Sequence, residues 1–218
     1  MTRTGFDVAL ESLHDDILRM GSIVEKQLQQ CIEALVSKDE NLAMHVIEND
    51  DLVDNLEKEI ENKCIRLIAK EQPLAIDLRT IFTNTKIVTD LERMADYAVD
   101  IAKIVKRLKN QDYIKELIDI PKMALLVEIM IKKALDGFIE GNVETAYELC
   151  KMDDQVDAYY KIIFNELLEI MIKDKSTLNQ ATQFLFVAKN LERIGDHVTN
   201  ICEWTVYLVT GELVDLND

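Results

Sequence analysis

Leu91-Glu92-Arg93-Met94-Ala95-Asp96 recurs as Leu191-Glu192-Arg193-Ile194-Gly195-Asp196, and the sequence around both copies carries apolar residues at three-and-four spacing. That period marks an amphipathic helix. The first copy lies in a helix predicted from about Ala75 to Leu108, whose basic ending Lys106-Arg107-Leu108-Lys109 suits the negative end of the helix dipole. The second lies in a helix predicted from a Ser176 cap to about Thr210, with Gly211 as its stop.

Four more helical segments extend outward from these two. One runs from about Phe6 through Leu13, Ile17, Met20, Val24 and Leu28 to near Ser37. Asp39 caps the next, which Pro73 ends. After the charged stretch 109–116, Pro121 opens a helix that Gly141-Asn142 closes, and Asn142 caps another reaching about Lys173. A shift of 103 residues superposes Ala43 on Ala146, Asp51 on Asp154, Asp54 on Asp157 and Ile60 on Ile163, while a shift of 100 superposes the two hexapeptides. The difference is a shorter loop in the second copy, and the self-similarity reads as an internal repeat. Long helices of this kind bury their apolar stripes only on one another, and three antiparallel helices are the smallest sufficient unit. The expected fold is all-α: six long helices as two tandem, pseudo-symmetric three-helix bundles, residues 1–110 and 111–218.

Composition agrees with helices, since only 6 glycines and 2 prolines punctuate 218 residues. The chain carries 41 acidic against 25 basic residues, a net charge of −16, which disfavours nucleic acid and points to cations or basic surfaces as partners. No apolar run is long enough to span a membrane, and Met1 to Gly5 leads into polar-interrupted sequence unlike a signal peptide, so a cytoplasmic protein not embedded in the membrane is expected. Cys31, Cys64, Cys150 and Cys202 form no C-x-x-C pair and read as reduced core residues.

The chemistry concentrates in the repeated motif. On one helix Glu92, Asp96 and Asp100 stand four apart, and Glu192, Asp196 and Asn200 do the same on another. Like charges at that spacing repel. Glu92 shares a stripe with Ile81, Val88, Ala95 and Val99, so its carboxylate loses solvent. Such a cluster stays ionised only beside cations, whether arginines or metal ions. Asp51 and Asp54, matched by Asp154 and Asp157, offer further acids on a second helix of each copy. If the helices meet there, each bundle has an all-oxygen site suited to Mg²⁺, Mn²⁺, Ca²⁺ or iron more than to a structural zinc.

Catalytic signatures are missing from the sequence: there is no Gly-rich phosphate loop, no G-x-S-x-G and no H-E-x-x-H. His14, His45 and His197 read as structural, and Trp204 and the tyrosines as core or interface residues. Glu11 and His14 supply one E-x-x-H, whereas a di-iron carboxylate storage or redox protein needs two such pairs. A second alternative is a metal-free helical adaptor whose acidic faces, including Arg93 and Arg193 paired with acids of a neighbouring helix, are simply solvated.

With Asp90 before the first motif and Asn190, His197, Asn200 and Ile201 around the second, the chain resembles the PhoU family, accessory regulators of phosphate-specific transport. The resemblance extends over the whole chain, through Phe6, Leu10, Leu13 and Met20-Gly21, the Asp51/Asp54 and Asp154/Asp157 pairs, and the doubled three-helix layout. It implies a non-enzymatic homodimeric adaptor between the ATPase subunit of a phosphate ABC transporter and a sensor histidine kinase. It implies, too, divalent or trivalent metal ions (iron, manganese, magnesium or zinc) at the family's E(D)xxxD motif, here Glu92 to Asp96 and Glu192 to Asp196. Ala95 and Tyr97 stand where the second copy has Gly195 and His197, so unequal sites are expected.

Overall fold

The computed structural model describes residues 3–216, all helices, turns and loops. In chain order the helices are α1 (Arg3–Ser37), α2 (Glu40–Glu48), α3 (Asp50–Glu71), α4 (Ala75–Arg107), α5 (Asp119–Glu140), α6 (Val143–Lys173) and α7 (Leu178–Thr210). The two tandem pseudo-symmetric units are present. In the first, α1, α3 and α4 pack together with α2 continuing α3; in the second, α5, α6 and α7 do so. The units meet along α4 against α7 and α1 against α5.

Local signals place most helix ends as expected. Asp39 caps α2 by accepting from Asn41 N–H at 2.9 Å and Leu42 N–H at 3.1 Å. Asn142 caps α6 through Thr145 N–H at 3.1 Å, and Gly141 closes α5 at φ 65°, a left-handed position that glycine adopts without strain. Two expectations need correction. The second rod is interrupted at Asn49, whose side-chain amide donates back to the His45 carbonyl at 2.7 Å, while Gln27 of α1 donates to the Asn49 carbonyl at 3.3 Å. A side chain thus competes with the helix ladder where no Gly or Pro warns of a break. Ser176 is not the cap of α7: Asp174 accepts from its N–H at 2.9 Å and starts a short 3-10 turn, Lys175–Thr177, that leads into the helix.

One continuous cluster of buried apolar side chains runs through both units, from Leu13, Ile17 and Met20 of α1 through Leu91 and Met94 of α4 to Leu191 and Ile194 of α7. Gly21 of α1 lets α5 approach so closely that a methyl group there would overlap the Leu135 side chain. Cys31, Cys64 and Cys202 are buried, Cys150 is half-buried, and all four are free thiols.

The stretch between the units is tacked down over its length. Tyr113 donates to the Leu35 carbonyl at 2.8 Å, stacks edge-on against Phe184 at 5.1 Å, and lies under the Lys38 ammonium at 4.4 Å. The Gln180 side chain takes Ile114 N–H at 2.6 Å and donates to the Asp112 carbonyl at 3.0 Å, and Lys115 pairs with Glu166.

Candidate metal-binding acidic clusters

Facing stripes of two antiparallel helices build an acidic patch in each unit. In the first unit, α3 brings Asp50, Asp54 and Glu57 toward Glu92 and Asp96 of α4. Burial and then the Asp96 charge push the Glu92 carboxyl up to about 6, with Glu57 and Asp54 adding to the rise. Asp50 is raised by burial and by Asp54 and Asp96, and Glu57 by burial and by Glu61 and Asp54, against a hydrogen bond from Thr89. Arg93 offsets part of this, its Nε 3.3 Å from Glu92 and its Nη1 3.1 Å from Asp96.

The second unit concentrates the effect. Asp153 of α6 is pushed up to about 7, by burial first and then by Asp196, Asp157, Glu192 and Asp154. Asp196 is raised by burial and by Glu192. Gly195 makes this possible: a Cβ there would stand 2.7 Å from Asp153 Oδ1, so glycine lets that carboxylate lie against the α7 backbone. The corresponding Ala95 is buried in the first unit. Lys189, one turn earlier, pairs with Glu192.

These patches contain six of the residues singled out by sequence: Glu92, Asp96, Asp54, Glu192, Asp196 and Asp157. Asp51 and Asp154 are exposed on the outer side of their helices, and the inward acids are their predecessors Asp50 and Asp153. Asp100 is exposed and paired with Lys103 at 2.9 Å. Asn200 faces α4, where its Nδ2 donates to Asp90 at 3.0 Å beside the His197 Nδ1–Asp90 contact of 2.8 Å. Arg93 pairs with acids of its own helix, unlike the neighbouring-helix pairing weighed from sequence.

The donor chemistry of the patches fits a hard cation. Partly buried carboxylates brought together from two helices repel one another, and a multivalent ion between them relieves that repulsion. With side chains as they stand, no three His, Cys, Asp or Glu groups among the described residues gather around one ion-sized point. An ion held there would require rotamer shifts of carboxylates that now pair with Arg93 and Lys189.

Similarity to known proteins follows the same doubling. A family model described as "PhoU domain" matches residues 17–105 and again 120–205. The chain is 59% identical, over the full length of both, to a protein of Clostridium acetobutylicum named phosphate-specific transport system accessory protein PhoU homolog. It is 42% identical to the homologue of the same name from Caulobacter vibrioides, over 93% of this chain and 89% of that one. The crystal structure of PhoU from Pseudomonas aeruginosa superposes with a TM-score of 0.91 at 34% identity, covering 95% of this chain and all of that one. The phosphate transport system regulatory protein PhoU from Streptococcus pneumoniae gives 0.90 at 34% identity, over 96% and 99% of the two chains.

Proposed function

The chain belongs to the PhoU family, and from that premise we propose that it is a non-enzymatic cytoplasmic adaptor that couples phosphate uptake to phosphate-starvation signalling. Its role as a regulator of phosphate transport rests on one observation, full-length 59% identity to a phosphate-specific transport accessory protein. The partners in this reading are the ATPase subunit of the phosphate ABC transporter and a sensor histidine kinase, with the protein acting as a homodimer. No helix among the described residues is long and apolar enough to cross a membrane. Membrane-bound partners would then be reached by docking. Residues 1–110 and 111–218 are proposed as the two repeat units.

The acidic patches are proposed to hold iron, manganese, magnesium or zinc ions. Glu92, Asp96, Asp54 and Asp50 would serve in the first unit, and Glu192, Asp196, Asp157 and Asp153 in the second. Such an ion supplies charge neutralisation and an attachment point for an anionic group, which a bare −16 surface otherwise repels. The protein's own contribution is placement: two rigid helices hold the carboxylates at fixed height, and Gly195 lets one of them approach the backbone.

Deletion of the gene, with phosphate-responsive expression and phosphate uptake as readouts, tests the regulatory reading. Loss of repression at high phosphate, together with co-purification of a transporter or kinase component, is the expected result. An unchanged response with neither component bound overturns it. Elemental analysis of protein purified without chelator, beside Glu92→Ala/Asp96→Ala and Glu192→Ala/Asp196→Ala, tests the metal separately. A metal-free wild type that refuses added Mn²⁺ or Fe²⁺ leaves the solvated acidic adaptor as the answer.

A further inference from the structure

The α3–α4 turn and the end of α7 meet in a surface that the acidic patches do not use. Ile68 of α3, Leu78, Phe82 and Thr85 of α4 and Tyr207 of α7 line a groove of about 560 Å³. Beside it Leu74 and Ile76 are 78% and 72% exposed. Phe82, itself 44% exposed, meets Trp204 edge to face at 5.9 Å, and Trp204 meets Tyr207 in the same way at 6.0 Å. Large apolar and aromatic side chains bared together mark an interaction site.

Charge identifies what fits. Lys86 stands over the Phe82 and Trp204 rings at 5.5 and 5.8 Å, and Arg79 over Tyr207 at 5.5 Å. Among the described residues no ion pair to a carboxylate holds Arg79 or Lys86, and both cations lie over aromatic rings of the groove. On a chain of net charge −16 this is a local cationic surface set on aromatic rings. Positions 78, 82, 85, 89, 92 and 96 step by three or four, so the α4 residues of the groove and those of the first acidic patch lie on one stripe of that helix. That stripe is roughly 27 Å long at 1.5 Å per residue, the length of an eighteen-residue helix.

We propose that this face docks an amphipathic helix of a partner protein, whose apolar side fills the groove and whose carboxylates pair with Arg79 and Lys86. An anionic membrane surface fits poorly, because the net charge and the adjoining acids oppose it. A second copy in a symmetric contact fits poorly too, because it sets the cations of this face against their own copies.

The proposal rests on the adaptor reading in supposing a docked protein, yet the two fail separately: a cross-link reports contact here whatever phosphate-responsive expression does. The test places a photo-cross-linking amino acid at Leu74 of the full chain in its own cells and identifies the captured segment by mass spectrometry. The expected product is a helical segment with carboxylates one turn apart beside apolar residues, its yield falling at least tenfold in Arg79→Glu/Lys86→Glu. If that variant misfolds, Arg79→Gln/Lys86→Gln should lower the yield several-fold at unchanged melting temperature. Cross-links to this chain, to lipid or to a basic segment, a yield indifferent to the substitutions, or no cross-link at all would overturn it.

Discussion

Asp90 of α4 and His197 of α7, 107 positions apart in sequence, meet at 2.8 Å across the contact between the two units, with only 11% and 19% of their side chains exposed. The carboxylate accepts from His197 Nδ1 and from Asn200 Nδ2, so one anion holds two groups of the opposite helix. Asp90→Ala leaves both donors without their acceptor and should lower stability by about 1–3 kcal/mol. A double-mutant cycle with His197→Phe, read by urea unfolding, should return a coupling of about 1 kcal/mol. Strict additivity would mean that the contact contributes nothing.

The metal-free protein should lose stability as pH rises from about 4 to about 7. Asp153 holds its proton to about 7 in the folded chain against 3.8 as a free side chain, so between these values the native state binds the proton that the unfolded state has released. The stabilising term is complete below about 4 and gone above about 7. Asp153→Asn removes the buried charge and should raise stability at pH 8 by about 1–2 kcal/mol, discounted for solvent access, with a flatter pH dependence from 5 to 8. Thermal melts of chelator-treated protein read both.

Gly195→Ala separates folding from the second acidic patch. Alanine favours the helix by about 1 kcal/mol, while its methyl group displaces Asp153 Oδ1 from 2.7 Å. The variant should melt within a few degrees of wild type. Its affinity for added Mn²⁺ should fall at the second unit alone, with the first unit retained as an internal control.

Asn84 is fully buried in α4 with neither amide atom hydrogen-bonded, and a shift of 100 residues places Phe184 at the same point of the second unit. An unsatisfied buried amide costs about 1–3 kcal/mol, so Asn84→Leu should stabilise by an amount in that range. Destabilisation on chemical unfolding would show that the amide has a partner in solution.

The helices, their order and their doubling were legible because a period of 3.6 repeated over thirty residues leaves little ambiguity. Which of two adjacent acids faces inward was harder. Asp50-Asp51 and Asp153-Asp154 differ by a 100° turn of the helix, and the stripe through the buried Val53, Leu56 and Ile60 puts residue 50, not 51, at its border. That register was available in the sequence. The partnership of Asp90 with His197 was not, since it depends on how α4 crosses α7 and no local spacing encodes a contact between separate units. The break at Asn49 was equally silent, because a side chain and a neighbouring helix cause it, without any residue that breaks helices on its own.

The Asp90–His197 contact also shows what joining two similar units in one chain allows. In a dimer of identical three-helix units every contact across the axis would occur twice, and each surface would have to complement itself. Here the equivalent positions hold Asn190 and Tyr97. Covalent linkage releases the pair from that demand, so one crossing of the axis carries a carboxylate with its two donors while the equivalent positions of the other carry an amide and a phenol. The two halves are free to specialise, and an asymmetric molecule presents two related but unequal faces to its partners.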